Sequence, residues 1–116
     1  MNIILYKSTY EQDDAIENFT DLFFSSQMPY LASDLLDEGL SPGEITDALR
    51  RAMDSARAAR LYLRRHFAPV YTQRGGSIVK DCKLSQLGYA LVLLNANPTT
   101  PAVARWQVQV LRKYFN

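Results

Sequence analysis

The four residues Ser41-Pro42-Gly43-Glu44 define the start of a helix more sharply than any other stretch of the sequence. Ser41 is a suitable N-cap, Pro42 fits the first helical position, and a glutamate three residues after the serine completes a capping box. Apolar residues from Ile45 to Leu63 then recur at about 100° per residue. This pattern predicts one long amphipathic helix over 41–65, around which the rest of the chain must be arranged.

Shorter patterns predict elements upstream of this helix. Residues 2–7 read as a short strand, whereas residues 13–26 carry apolar side chains at helical spacing. A further helix is expected over 29–38. It would end at Gly39, because glycine readily adopts the left-handed conformation found just after a helix.

The second half of the chain predicts a β-hairpin followed by two helices. Arg74-Gly75-Gly76 separates two β-prone runs, and glycine tolerates the positive φ of a tight hairpin turn. A helix over 83–95 would stop at Asn97-Pro98, since a proline disfavours helical geometry in the residue before it. Thr100 caps a last helix that begins at Pro101. The two helices are expected to pack as a helical hairpin under the β-hairpin.

These elements predict one α+β domain over residues 1–116. It is expected to be predominantly helical, with about five helices, a small winged-helix-like β-hairpin and a C-terminal helical hairpin. A hydrophobic content of 47% in 116 residues is typical of a folded globular chain. One cysteine excludes an internal disulfide, and neither a signal peptide nor a membrane span is evident. We therefore expect a soluble cytoplasmic protein.

Charge divides the chain into an acidic part, residues 1–47, and a basic part, residues 48–116. The acidic part holds ten acids and one base, a net charge of −9, whereas the basic part holds twelve bases and two acids, a net charge of +10. Such an asymmetry indicates different partners for the two parts. The alternative is that the two parts face and neutralise each other.

The basic part predicts a surface for double-stranded DNA. Arginines of the long helix lie together on the side opposite its apolar residues, and the β-hairpin adds two cations. Helix arginines can hold phosphates, and a hairpin arginine can enter a minor groove. The alternative is an ordinary solvated helix face and turn. The predicted nucleic-acid-binding residues are Arg57, Arg60, Arg64, Arg65, Arg74 and Lys80.

Residues 31–52 also fit a helix-turn-helix, with Gly39 in the turn. In that motif the first turns of the second helix meet the major groove. Glu44 and Asp47 occupy those turns, and carboxylates are repelled by phosphates. This argues against insertion of the helix N-terminus first.

The sequence predicts no enzyme, no cofactor and no metal site. The single histidine, His66, and the single cysteine, Cys82, cannot form a standard zinc site. The chain has no phosphate-binding loop and no dinucleotide-binding fingerprint. The acids over 11–21 lack the alternating spacing of a calcium loop.

Four segments in the basic part share a family pattern. They are HF at 66–67, GG at 75–76, DCKLSQLGYALVLLNANPTTP at 81–101 and AVARWQVQVLRKYF at 102–115. Residues 66–116 thereby resemble the BRO-N domain of phage antirepressors and viral BRO proteins, and the equivalent part of bacterial DNA-damage-inducible protein D. The resemblance implies DNA binding, or antagonism of a repressor or a damage-response protein. BRO-N usually heads a longer protein with a separate C-terminal domain.

The acidic part motivates a rival hypothesis, in which the chain is an antagonist that binds a protein. Its negative charge would engage a basic partner such as a repressor or recombination protein, in the manner of a DNA mimic. The predicted partner-binding residues are Asp13, Asp14, Glu17 and Trp106.

The last helix offers a surface for a homodimer, because Trp106, Val110 and Tyr114 share one side of it. The alternative is that this stripe completes the core of the monomer. Trp106 is expected to pack in a core or an interface rather than to stack on a ligand.

Overall fold

The computed structural model describes the backbone of residues 2–116 and the side chains of residues 13–116. In chain order its elements are α1 (Asn2–Ser26), β1 (Tyr30–Leu31), a first 3-10 helix (Ala32–Leu36), α2 (Pro42–Ala58), a second 3-10 helix (Leu63–Arg65), β2 (Phe67–Arg74), β3 (Ser77–Leu84), α3 (Gln86–Leu94) and α4 (Pro101–Phe115). The α+β class is as predicted, with four α-helices instead of about five. None of the helices in the described part is long and apolar enough to cross a membrane.

The three strands form one antiparallel sheet in the order β1-β3-β2. The predicted β-hairpin is confirmed: β2 and β3 pair from Phe67 opposite Leu84 to Arg74 opposite Ser77. The turn residues Gly75 and Gly76 have φ of +55° and +82°, a conformation that matches the twist of a two-residue hairpin and requires glycine. β1 pairs with the far end of β3, which joins the hairpin to the start of the first 3-10 helix.

One hydrophobic cluster joins the elements between residues 32 and 103. Leu35, Leu84, Val92 and Val103 are its largest fully buried side chains. The buried face of α2 is lined mainly by alanines, whose small side chains allow α3 to approach it closely. The cluster therefore draws on both the acidic and the basic part of the chain.

The strand predicted over 2–7 is wrong, because these residues belong to α1. No proline or glycine interrupts the chain between residues 2 and 26, so the helix predicted over 13–26 extends back through the β-branched start. Helical continuity outweighs the local strand propensity of that segment.

The helix predicted over 29–38 is also wrong. Tyr30 and Leu31 pair with β3, and only the tight 3-10 turn from Ala32 to Leu36 follows. Asp34 stabilises that turn by accepting a hydrogen bond from the backbone of Leu31 at 3.1 Å. Pairing with a distant strand thus replaces the first turns of the expected helix. The predicted role of Gly39 is confirmed by its φ of +99°.

The long helix begins as predicted but ends at Ala58 instead of near residue 65. Arg60 adopts the left-handed conformation with φ of +60°, and the Leu61 amide donates to the Ala56 carbonyl at 2.9 Å. This is the Schellman pattern that ends many helices, here with an arginine where glycine is usual. The basic residues over 60–65 therefore do not continue the cationic face of α2.

The helix predicted over 83–95 begins later, at Gln86, because Lys83 and Leu84 belong to β3. Ser85 caps it by accepting a hydrogen bond from the Gly88 amide at 2.9 Å. α4 begins at Pro101 as predicted, although the Thr100 side chain makes no capping hydrogen bond.

Candidate nucleic-acid interface

The first 3-10 helix, a turn over 37–40 and α2 follow one another in the order of a helix-turn-helix, but a five-residue 3-10 helix stands where that motif has its first α-helix. Leu40 closes the turn by donating its amide hydrogen to the Leu35 carbonyl at 3.2 Å. The predicted capping box is confirmed: Ser41 Oγ accepts from the Glu44 amide at 3.2 Å, and Glu44 Oε1 accepts from the Ser41 amide at 3.1 Å. The start of α2 is therefore fixed by hydrogen bonds on both sides of the cap.

Asp81 connects the hairpin to the first 3-10 helix. Its carboxylate accepts hydrogen bonds from the Ser33 amide at 3.1 Å, from Thr72 Oγ1 at 2.9 Å, and from the Ser33 hydroxyl. The Cys82 amide donates a further bond to it at 2.7 Å. Burial opposes ionisation, but these hydrogen bonds outweigh it and lower the pKa of Asp81. The ionised carboxylate thus fixes the position of the hairpin beside the first 3-10 helix.

A groove of about 550 Å³ separates the first half of α2 from the hairpin. Thr46 and Leu49 line its α2 side, while Arg74 and Lys80 line its hairpin side. Arg74 is held in place by donating to the Ser33 carbonyl at 2.8 Å and to Asp37 at 3.3 Å. Lys80 is exposed. The hairpin therefore presents two cations alongside the helix that follows the turn.

Arg50 and Arg57 add an exposed cationic edge to α2. They lie seven residues apart and so share one side of the helix. Arg50 pairs with Asp47 at 3.3 Å and Arg57 with Asp54 at 3.1 Å, both within the helix. Exposed pairs of this kind contribute little energy, so they leave the arginines available to phosphates. Arg50 is not among the predicted contacts, although its spacing of seven residues from Arg57 is the signal that identifies it.

Arg64 and Arg65 lie against α1 instead of in this groove. Arg64 pairs with Glu17, and its guanidinium is 3.9 Å from Asp21. The hydrogen bond and the charge of Glu17, followed by the charge of Asp21, raise the pKa of Arg64. Arg65 stacks over the Phe24 ring, with its guanidinium carbon 5.0 Å from the ring centroid. The structure thus brings these two cations to the acidic helix.

The six predicted DNA contacts therefore separate into three places. Arg74 and Lys80 lie on the hairpin, Arg57 lies in the last turn of α2 with Arg60 just after it, and the remaining two lie against α1. The alternative is that the acidic and basic parts neutralise each other. The ion pairs of Arg64 with Glu17 and of Arg74 with Asp37 fit that alternative.

The predicted partner-binding residues are not brought together. Asp13 and Asp14 are exposed near the middle of α1, and Glu17 is engaged with Arg64. Trp106 is half-buried against the core cluster from α4. α1 packs on the second 3-10 helix and on β2, whereas α4 packs on α3. The tryptophan and the acids therefore lie on helices that pack against different elements.

Glu44, one of the two acids expected to repel DNA from α2, is engaged elsewhere. Its Oε2 accepts a hydrogen bond from Asn97 Nδ2 at 3.0 Å, in the connection between α3 and α4. That bond, together with those from Ser41, lowers the pKa of Glu44. Asp47 is the other acid, and it is paired with Arg50. Hydrogen bonds from uncharged groups keep Glu44 ionised. Its negative charge therefore remains at the start of α2, whereas that of Asp47 is offset by Arg50.

The surroundings of His66 and Cys82 fit structural roles for both side chains. His66 Nδ1 lies 2.7 Å from Ser85 Oγ, and burial together with the nearby Arg65 lowers the pKa of the imidazole. Burial raises the pKa of the Cys82 thiol to about 11, which leaves it protonated at neutral pH. Among the side chains of residues 13–116, no group of three or more His, Cys, Asp and Glu could hold a metal ion.

No family model, curated protein or solved structure matches this chain. The resemblance of residues 66–116 to BRO-N domains therefore remains a prediction.

Proposed function

We propose that this chain binds double-stranded DNA as a winged helix-turn-helix, with α2 as the recognition helix and the β2–β3 hairpin as the wing. The observation that supports this most is the groove in which Arg74 and Lys80 of the hairpin lie beside Thr46 of α2. The order of elements also fits, since a helix, a short strand, a helical turn and α2 precede the hairpin. The strand β1 holds the wing by pairing with β3.

Each part of the proposed surface has a role that follows from its chemistry. The exposed Thr46 lies one turn from the N-terminus of α2, where a recognition helix meets base edges. Arg50 and Arg57 would contact phosphates along the same side of α2 and fix its register on the duplex. These contacts are sequence-independent and provide most of the affinity.

One face of the wing combines a cation, Lys80, with apolar side chains near its tip. Tyr71 lies opposite Lys80, and Gln73 lies opposite Ile78, so these four side chains share one face of the hairpin. Ile78 is 76% exposed and Tyr71 74% exposed. Proteins that bind the minor groove use basic side chains together with apolar wedges. A minor-groove contact by this face is therefore part of the proposal.

The resemblance to BRO-N domains favours a small regulator of phage or mobile-element type. A regulator needs no catalytic centre, and the surroundings of His66 and Cys82 fit structural roles. The alternative function, antagonism of a protein partner through the acidic part, would depend on Asp13 and Asp14, because Glu17 is paired with Arg64.

The test is fluorescence anisotropy of a labelled random-sequence duplex, titrated with the chain from 50 to 200 mM salt. About four phosphate contacts predict a slope near −3.6 for log K against log salt, a loss of affinity of roughly 100-fold over that range. Arg57→Ala and Lys80→Ala each remove one phosphate contact and should each make this slope less steep by about 0.9.

Lys113→Ala is the matched control, because it removes the same charge from the exposed last turn of α4. It should leave both the affinity and the slope close to those of the wild type. Equal losses in all three variants would mean that net charge alone attracts DNA and would overturn the assignment of the surface. Absence of binding at 50 mM salt would reject DNA binding and favour the protein-antagonist function.

A further inference from the structure

A small cavity of about 130 Å³ lies between α3, α4 and the turn over 37–40. Three buried residues of the core cluster line it, Leu35, Leu93 and Val103. Pockets that hold a whole small molecule are usually about 300–1,000 Å³. This cavity therefore has the size for one chemical group at the end of a ligand and not for a complete nucleotide or cofactor.

Two half-buried aromatic side chains, Tyr89 of α3 and Trp106 of α4, also line the cavity. Tyr89 is held by stacking on Tyr30, with ring centroids 4.2 Å apart and ring planes 9° from parallel. Trp106 is held by packing against the core cluster. The π electrons of such rings attract cations, and tryptophan attracts them most strongly. The packing of the chain thus presents two fixed aromatic rings to one small space.

Glu38 is the one charged side chain among the described residues that line the cavity. It is exposed, and within residues 13–116 its carboxylate makes no ion pair. Burial, followed by the negative charges of Glu38 and Asp34, raises the pKa of Tyr89. The aromatic rings therefore lie in a negative electrostatic field, which favours a positively charged group beside them.

The lining of the cavity also discriminates between kinds of cation. A primary ammonium brings three N–H donors and a guanidinium brings five. Apart from Glu38, the side chains that line the cavity are apolar or aromatic, and N–H donors that leave water without an acceptor are costly. A fully methylated ammonium has no N–H donor, and its methyl groups can pack against apolar and aromatic walls.

We propose that this cavity binds a methylated ammonium group, with Tyr89 and Trp106 against its methyl groups and Glu38 offsetting its charge. The group can belong to a free quaternary ammonium compound or to a trimethylated lysine of a protein, since both present the same head to the cavity. The small side chain of Ala102 leaves room for it. The site shares no residue with the groove between α2 and the hairpin, so the proposal goes beyond DNA binding and does not depend on it.

Fluorescence of Trp106 tests the proposal directly, because it is the single tryptophan of the chain. The probe is choline, and the control ligand is its neutral analogue, in which a carbon atom replaces the nitrogen. At constant ionic strength choline should bind with a Kd on the order of 1 mM. The neutral analogue should bind about 10-fold less tightly or worse. No fluorescence change at a choline concentration about 100-fold above that Kd, or equal binding of the analogue, would overturn the proposal.

Two variants and their controls assign the site. Glu38→Gln should weaken choline binding about 5-fold or more, and Ala102→Leu should abolish it by filling the cavity. Asp14→Asn removes the same charge from the exposed surface of α1, and Ala104→Leu adds the same side chain to α4 outside the cavity. Both controls should bind choline as the wild type does. Equal losses in a variant and its control would overturn the assignment. Circular dichroism verifies that each variant is folded, and Glu38→Gln changes only an exposed side chain.

Peptides distinguish the two sources of the methylated ammonium. A short peptide with trimethyl-lysine should displace choline, and the same peptide with unmodified lysine should bind about 10-fold less tightly or worse. Tighter binding of the trimethyl-lysine peptide than of choline would identify a protein as the source, and tighter binding of choline would identify a free compound. Equal binding of the modified and unmodified peptides would contradict the selection for a methylated group.

Discussion

Replacing Arg60 by glycine should stabilise the chain. Arg60 occupies the left-handed position after α2, with φ of +60°. A residue with a Cβ pays roughly 1–2 kcal/mol there. Glycine avoids that cost, but it loses about 0.5–1 kcal/mol more conformational entropy on folding. The expected net gain from Arg60→Gly is therefore ~0.5–1 kcal/mol, or a few degrees in Tm for a chain of this size.

Arg60→Ala is the control that separates backbone strain from loss of the side chain. Alanine removes the guanidinium but keeps the Cβ, so Arg60→Ala should give no comparable gain in stability. The assay is urea unfolding at one protein concentration, because association would shift the apparent stability. Arg60→Gly should raise the midpoint with an unchanged slope. A glycine variant no more stable than the alanine variant would refute the argument from backbone strain.

The same pair of variants connects stability to function. If the arginine is kept in a strained position because it contacts DNA, both substitutions should lower DNA affinity by a similar factor. The glycine variant would then be more stable and bind DNA less tightly than the wild type. An unchanged affinity in both variants would mean that Arg60 does not contact DNA.

Four further predictions concern the connections around the hairpin. Gly88→Ala should cost ~1–3 kcal/mol in urea unfolding, because an added Cβ would lie 2.5 Å from the His66 carbonyl oxygen; a neutral effect would mean that α3 shifts freely. The folded-state pKa of His66 is lowered, so its contribution to stability is present above about pH 6.5 and is lost as the pH falls through the folded-state pKa. His66→Gln should flatten that part of a Tm-against-pH curve, and an unchanged curve would contradict this role. Asp81→Asn should destabilise the chain by ~1–3 kcal/mol and weaken DNA binding by loosening the wing. A destabilised variant that binds DNA as tightly as the wild type would contradict the link between the wing and DNA binding. Cys82 should react with a thiol reagent at pH 8 far more slowly in the folded chain than in urea, because burial raises its pKa to about 11; equal rates would mean that the thiol is accessible.

The sequence predicts the structure correctly where a few neighbouring residues determine it. The capping box of Ser41 and Glu44, the left-handed Gly39 and the Gly75-Gly76 turn are all set by their immediate neighbours. Prediction from the sequence fails where pairing with a distant segment determines the secondary structure. Tyr30 and Leu31 become a strand only because β3, more than fifty residues away along the chain, provides the partner.

The candidate site shows the same difference between what neighbouring residues determine and what distant residues determine. The identity of the basic residues could be read from the sequence, but their grouping could not, because it depends on where α2 ends. The left-handed turn at Arg60 directs Arg64 and Arg65 away from α2 and towards α1. The sequence could not reveal that Glu44 is bound by Asn97, since the two are brought together only by the packing of the connection between α3 and α4 against α2.

The most direct test of the proposed DNA surface is a residue-level map of the contact. In a titration of the isotope-labelled chain with a DNA duplex, backbone amide NMR shifts should change at residues 43–57 of α2 and at residues 71–80 of the hairpin. Residues 13–26 of α1 should remain unchanged in the same spectra. Shifts confined to α1, or none at a DNA concentration well above that of the chain, would contradict the assignment of α2 and the hairpin as the DNA-binding surface.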